Sequence, residues 1–568
     1  MGSSLRRHAT GMIVARHLRS TGTTPAEAVM GVWDRRQGIA AIAFGVVLAM
    51  GLTSTSISAA SGATHLAPRQ APAPHDTLAI TASILYQGTA GTGEAYVYLA
   101  DSHAALTNPV LVIEGFDIDN SMGWEELYTL LNREGLIETI RAYGFDAVVL
   151  NFTDGVDYIQ RNAFVIVELI EQVNALIFPG TDIALMGASM GGLAGRYALA
   201  YMETQGLEHN TRTFISFDGP QKGANIPLGI QYWVAFFAPY SDDAAVLLAG
   251  LDSPAGRQML VYHHTDPPTA MPTTDPLRAE LLADLAAVGE YPLDCRKVAV
   301  ANGSGMGQGQ GFSPGDQIIQ WEYEGFLVDV IGNVWALPDA GEQLIFHGLM
   351  DPILLPADEL MVTVSGTGPY DTAPGGWRAS MAQMDSTEAP YGDIIALYPN
   401  HCYMPTISSL ALDTDDLFYD IAGDPDLLSH TYFDAVYFPA ENQEHVLVTP
   451  ENADWLLSEI LWGTSAGIVA ADHWMCRTPV IRAIHPNPAR GAVQIHLSLP
   501  QPGHAHLSVY DIAGRMVAEV AETYRPAGDH RLTWDGTDAQ GRQVGVGVYL
   551  CRLRVHDRVT TRPVIVVR

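Results

Sequence analysis

At 568 residues, 48% of them apolar and 16% charged, the chain is long enough for more than one domain and too apolar to remain disordered. Its 30 basic against 63 acidic residues leave a net charge of −33, which argues against nucleic acid or an anionic lipid surface as a partner held by general electrostatics. Acidity of this kind suits a protein kept soluble outside the cell.

Residues 1–60 read as an N-terminal extension and signal peptide. Arg35 and Arg36 precede the apolar run "GIAAIAFGVVLAMGL", and the small residues "TSTSISAASGA" come next. That is the order of a charged region, an apolar region and a cleavage zone. The run is shorter than the ~20 apolar residues that span a bilayer. Met30 is the expected start, which gives the signal peptide an ordinary length; an uncleaved anchor is the alternative. Residues 61–77, with "APRQAPAPHD", read as a Pro/Ala-rich linker. Export permits disulfides. Cys295, Cys402, Cys476 and Cys551 are scattered without a CxxC, so no metal site is expected, and three pairings or four free thiols stay open.

Residues 78–465 alternate strand and helix signals. "AYVYLA" and "PVLVIEGF" are strand-like; "GWEELYTLLNREGLIETIRAYG" carries apolar residues at helical spacing. "FDAVVLNF" is the continuous apolar run of a strand buried on both faces. "AFVIVELIEQVNALI" is helical, "DIALMG" is a strand, "MGGLAGRYALAYME" a helix, and "TRTFISFD" and "CRKVAVANGS" are later strands. This order predicts a mostly parallel sheet covered by helices.

Between "DIALMG" and the helix sits Gly187-Ala-Ser189-Met-Gly191. A nucleophile placed between strand and helix needs a very sharp turn, and glycines at −2 and +2 relieve the contacts that turn forces on its neighbours. The turn lifts the Ser189 hydroxyl toward a cleft. It also sets the Met190 N–H at a helix N-terminus, where it can hold an oxyanion.

With "IEGFD" at a strand end, "FDGPQKGA" and the late "NQEHV", this elbow resembles the α/β-hydrolase superfamily, and within it the lipase and GPI-inositol-deacylase-like members, over about Ile80 to Trp462. The resemblance implies a triad in the order nucleophile, acid, histidine. His445 lies between the strand-like "FDAVYFPA" and the helix "TPENADWLLSEI", with Thr449 as N-cap, where the fold carries its general base. His263, His264, His347, His401 and His430 lack that context. The acid stays open. Asp218 ends the strand after the elbow strand, as in some lipases; Asp316 comes after the next strand, the commoner place; Asp413 is a further possibility. "NHCYMPTISSL" resembles the segment after the acid in bacterial lipases, with His401 where an aspartate is expected. The resemblance makes the Phe116 N–H the second oxyanion donor; Glu114 just before it is unusual for a neutral oxyanion loop.

"IPLGIQYWVAFFAPY" falls where this fold often inserts a lid, and its alternative is a helix packed in the interior. "TDPLRAELLADLAAVG" reads as a helix started by Asp275 and Pro276. From Gln317 to Tyr370, alternating β-formers predict an antiparallel insertion. "DTDDLFYD" lacks the glycine and glutamate of an EF-hand loop and reads as a solvated acidic loop.

Residues 479–568 show short strands with turns between them, including "AVQIHLSL", "HAHLSVYD" and "GVYLCRLRV", which predicts a small β-sandwich. With "HPNPARG", "VYDIAGRMV" and "TWDGTDAQGRQVGVGVYL" it resembles the Ig-like domain of flagellar hook-capping proteins and the sorting domains of type IX secretion. That implies a secreted or surface-held bacterial protein, with secretion machinery as a partner. The expected function is a secreted serine ester hydrolase acting on a lipid or other acyl ester without metal or cofactor. A silent hydrolase-fold adhesion protein, and an acyltransferase or peptidase using the same triad, are the alternatives.

Overall fold

The computed structural model describes residues 71–462 apart from 119 and 388, residues 468–470, and residues 480–567 apart from 486, 488, 500–502, 513, 526, 527, 556 and 557. The expected signal peptide, most of the expected linker and Cys476 lie outside the described residues. Among the described residues no helix is long and apolar enough to cross a membrane. The chain divides into two compact units, Met1–Ile468 and Val469–Arg568.

The first unit is built on one sheet. Its strands are β1 (Asp76–Tyr86), β2 (Thr89–Tyr98), β3 (Pro109–Ile113), β4 (Asp146–Phe152), β5 (Ile183–Ala188), β6 (Thr211–Phe217) and β7 (Arg296–Val300). An eighth, Ala435–Phe438, follows after a long insertion. The spatial order is β1, β2, β4, β3, β5, β6, β7 and then Ala435–Phe438. β2 is antiparallel to β1 and β4, and every later pair is parallel. That is the strand order of the α/β-hydrolase fold. β3, β4 and β5 are buried at every position, the consequence of apolar runs covered on both faces.

The crossovers are helical: α1 (Trp124–Leu131) and α2 (Leu136–Ala142) after β3, α3 (Ile159–Leu176) after β4, α4 (Met190–Gln205) after β5. The stretch from Gly123 to Gly144, with its continuous helical spacing, is broken between α1 and α2. Glu134 and Gly135 take φ of 55° and 65° there, a conformation the glycine accepts at little cost. The β1 strand, which carries little signal in the sequence, pairs with β2 and packs against α3.

After β6 come α5 (Leu228–Phe237), α6 (Asp242–Leu251), α7 (Pro254–Met259) and α8 (Pro276–Ala287). Asp275 caps α8 by accepting the Leu277 N–H at 2.8 Å. The insertion after β7 carries β8 (Gln317–Gln320), β9 (Glu322–Glu324), β10 (Val328–Trp335), β11 (Glu342–Pro352) and β12 (Asp358–Ser365), antiparallel as expected. α5, whose sequence suits either a lid or an interior helix, is interior: Trp233 and Phe237 pack on Trp321, between β8 and β9, and Phe236 on Phe346 of β11. Helices that gate a cleft keep one face in water; α5 buries Leu228 through Val234 all round.

Further along lie β13 (Gly375–Arg378), α9 (Ser380–Asp385), the short β14 (Ile395–Ala396), β15 (His401–Pro405) and the single helical turn α10 (Thr406–Ser409). β13 and β15 pair antiparallel. The unit's last helix is α11 (Pro450–Trp462). Cys295, Cys402 and Cys551 are buried free thiols.

The second unit is a sandwich. Val480–His485, Val493–Leu499 and Gly528–Trp534 form one sheet; Met516–Arg525, Gly503–Asp511, Gly547–Val555 and Arg558–Val566 form the other. Ile495, Leu497, Leu507, Val509, Leu553 and Trp534 fill the space between, the inward half of each alternating strand.

Candidate active site

β5 ends at Ala188 and α4 starts at Met190, so Ser189 must turn the chain alone. It does so at φ 52° and ψ −123°, a strained conformation for a residue with a Cβ. The flanking glycines are sterically required. A Cβ on Gly187 would collide with the Gly191 backbone, and one on Gly191 with the Glu114 carbonyl at the end of β3. The Met190 N–H is among the first of α4, which a helix leaves without an internal acceptor.

His445 sits in the loop between Ala435–Phe438 and α11, a helix whose N-cap Thr449 accepts the Asn452 N–H through Oγ1. His445 Nε2 lies 2.8 Å from Ser189 Oγ, and its Nδ1 lies 2.6 Å from Asp218 Oδ2. A carboxylate only accepts, so Nδ1 carries the ring proton and Nε2 is left to accept from the serine hydroxyl. All three residues are nearly closed to water, at 4%, 2% and 0% exposure for Ser189, His445 and Asp218.

Of the candidate acids, the fold brings Asp218 to the histidine. It ends β6 at φ 48°, a conformation aspartate tolerates. Its second oxygen, Oδ1, accepts from the Asn302 N–H at 3.1 Å and the Ser409 hydroxyl at 2.7 Å. Asp316 is elsewhere: its Oδ2 accepts from the Ser313 N–H and the Tyr398 hydroxyl in the β insertion. Asp413 lies in the loop whose backbone bonds to His430. The "NHCYMPTISSL" stretch forms β15 and α10; it supplies Ser409 as a donor to the acid. Burial pushes His401 within it down to about 4, so the ring is neutral, and it bonds to the Cys402 carbonyl and Ser380.

Burial holds His445 below its ordinary value of 6.5, with Arg378 adding to the shift and Asp218 opposing it. A neutral imidazole is the form that accepts a proton. Turnover that depends on it is therefore expected to keep its acid-side midpoint below 6.5. A profile of kcat/KM between about pH 4 and 8 checks this, and a midpoint above ~7 (the sign of a raised base) contradicts it.

Phe116 lines a small pocket into which Ser189 opens, together with Ile226, Leu251, Met259, Arg378 and Tyr403. The α6–α7 turn forms one wall. Glu114 is buried behind Phe116; one oxygen accepts the Phe152 N–H and Oε2 has no partner. Burial raises its carboxyl well above the usual carboxylate range, with Asp117 adding to the effect. That favours the uncharged acid, the form compatible with the oxyanion donor expected at Phe116.

Several residues of the site carried no signal in the sequence. Asn302 binds both loops at once: its N–H goes to Asp218, and its side chain to Gln443 and the Leu447 carbonyl. Gly376 in β13 passes so close that a Cβ would collide with Asp218 Oδ2. The His445 N–H donates to the Trp377 carbonyl at 2.9 Å, and the Tyr403 ring lies edge-on to the imidazole with centroids 4.8 Å apart. Among the described residues one cluster outside the site has metal-ligating side chains, Asp252, His263 and His264. Both ring nitrogens of His263 face oxygens, those of Leu251, Asp252 and His264. Burial opposes protonation of His263, and the contacts with Asp252, Leu251 and His264 together outweigh it, so the group reads as an imidazolium–carboxylate pair.

Residues 486–556 match the FlgD Ig-like domain family. No curated protein matches the chain. Among solved structures it is similar to Est1E from Butyrivibrio proteoclasticus, at 17% identity over 28% of this chain and 54% of that one, with a TM-score of 0.19. It is also similar to XC6422 from Xanthomonas campestris, a lidless α/β serine hydrolase, at 21% identity over 26% of this chain and 65% of that one, TM-score 0.20. FlgD from P. aeruginosa is similar at 19% identity over 14% of this chain and 68% of that one, TM-score 0.12. The chain spans about half the length of Est1E.

Proposed function

We propose that this protein is an exported serine hydrolase that cleaves acyl esters. The observation that carries the reading is the hydrogen-bonded line from Asp218 through His445 to a serine held at positive φ. A scaffold kept only for binding has no use for that strain or for three buried polar groups aligned in one direction. Ser189 Oγ attacks the ester carbonyl while His445 Nε2 takes its proton. Asp218 holds the tautomer and stabilises the imidazolium. The N–H groups of Met190 and Phe116 receive the developing oxyanion. His445 returns the proton to the leaving alcohol, then activates water to release the acid. Incubation of the purified chain with a fluorophosphonate probe, together with a series of esters of increasing acyl length, tests the reading. Labelling with turnover is expected; an unlabelled protein that hydrolyses none of them overturns it.

The Ig-like unit is proposed as an export address, read as a folded surface by type IX-like secretion machinery. Deletion of everything after Thr478 is expected to keep the protein inside the cell and leave ester hydrolysis intact, because the sandwich has its own core. Supernatant and periplasmic fractions of the native host, compared for full-length and truncated chains, decide it. Equal supernatant levels would reduce the tail to an accessory domain.

A further inference from the structure

We propose that Asp252, His263 and His264 form a binding site for one divalent transition-metal ion of the zinc class, outside the triad. The site does not depend on the hydrolase reading, and it departs from the expectation, drawn from cysteine spacing, of no metal site.

Only acceptors surround the His263 ring nitrogens. Nδ1 lies 2.8 Å from the His264 carbonyl oxygen; Nε2 lies 3.0 Å from the Leu251 carbonyl oxygen and 3.3 Å from Asp252 Oδ1. Carbonyl and carboxylate oxygens cannot donate, so Nδ1 carries a proton, and Nε2 must carry a second proton or hold a cation. A proton there makes an imidazolium–carboxylate pair. A metal ion that displaces it meets the arrangement of metal-bound imidazoles, with Nδ1–H anchored on a backbone carbonyl and Nε2 turned to the ion. His264 supplies a second nitrogen, its Nε2 2.8 Å from the same Asp252 oxygen. One ligand atom from each of the three residues lies within 4.8 Å of the others. Donors about 2.0–2.1 Å from a tetrahedral zinc ion stand about 3.3 Å apart, so the contacts to Asp252 and Leu251 open by at most about half an ångström. Two imidazoles with a carboxylate suit a zinc-class ion better than calcium or magnesium, which take oxygen ligands.

The fold holds these donors in place. Leu251 and Asp252 end α6, where a helix leaves its last carbonyls without an internal donor and its dipole favours a cation. The histidine segment is pinned from the other side: the Val261 N–H donates to the Ala224 carbonyl, and the His264 N–H to Oε1 of the buried Gln231 at 3.0 Å. The Tyr232 ring meets His264 edge-on. Rings already fixed need little ordering when an ion arrives. The Asp252 side chain is 46% exposed against 7% for His263, which opens the site to water on the carboxylate side. The chain's net charge of −33 draws cations in. A bound ion would tie the end of α6 to the segment after α7. Leu251 and Met259, at those two ends, line the pocket beside Ser189, so the ion would stiffen one pocket wall.

The full chain, stripped with a chelator and dialysed, is titrated with ZnCl2 by calorimetry and melted with and without the ion. One equivalent is expected to bind at micromolar Kd or tighter, and saturation to raise the Tm by a few degrees, as a ligand of the folded state does. MgCl2 and CaCl2 should do neither. Asp252→Asn and His264→Gln should each weaken zinc binding by more than the ~10- to 100-fold that loss of an outer-shell partner costs. His347→Gln, at a histidine paired with Glu359 on the β insertion, should leave it unchanged. Should His264→Gln fail to fold, Asp252→Asn at its half-exposed position carries the comparison. A wild type that takes up no stoichiometric zinc overturns the proposal, and leaves the cluster an ion pair only. So does wild-type zinc affinity in the folded variants, or an equal response to magnesium or calcium. Ester turnover is not read, so none of these outcomes touches the hydrolase reading.

Discussion

Ser189→Ala is expected to remove fluorophosphonate labelling entirely and to lower ester turnover by about 10⁶-fold, the scale seen when a triad nucleophile is deleted. Thermal stability should hardly move. Alanine keeps the Cβ, so the strain at φ 52° is neither relieved nor increased, and only one hydroxyl of a residue 4% exposed is lost. That hydroxyl's bond in the site runs to His445 Nε2 at 2.8 Å. Labelling, turnover and the melting temperature measured together distinguish a chemical role from a structural one. Unaltered turnover would mean that another nucleophile does the work.

Asp218→Asn is expected to cost about 10⁴-fold in kcat, as other triad aspartates do when made neutral. The amide that replaces the carboxylate can present an N–H to His445 Nδ1. The ring then takes the other tautomer, with its proton on Nε2 facing Ser189, and cannot accept. Asparagine tolerates the φ of 48° at this position, so backbone strain does not confuse the result. Asp316→Asn is the matched control, since that carboxylate bonds to Ser313 and Tyr398 instead. A large loss in Asp316→Asn with near-normal activity in Asp218→Asn would overturn the assignment.

Much of this site could be read from local sequence. The elbow was legible because its requirements fall within the short run from Gly187 to Gly191, and each glycine answers to a backbone contact. His445 was legible because a strand and a capped helix flank it in the chain. Asn302 and Gly376 were not, because each meets the site through partners far away in sequence. Asn302, for example, gives its side chain to Gln443 across 141 positions.

The sequence by itself determined the elements, the sharp strand-to-helix turn at Ser189 and the division into an α/β unit and a β-sandwich. Those arise from hydrophobic period, turn chemistry and caps, which act over a few residues. Only the tertiary structure decided which carboxylate lies against the histidine. Asp218 and Asp316 both come after strands, and nothing local ranks them. The sheet order sets β6 beside β7 and carries Asp218 to His445, 227 positions on, while Asn302 and Ser409 converge on its other oxygen. A hydrogen bond over that separation leaves no period in the chain. The fate of Ile226–Tyr240 was decided in the same way: an apolar helix becomes a lid or a core according to what lies against it. Here a second sheet, assembled from residues far later in the chain, covers α5 on the side a lid would keep in water.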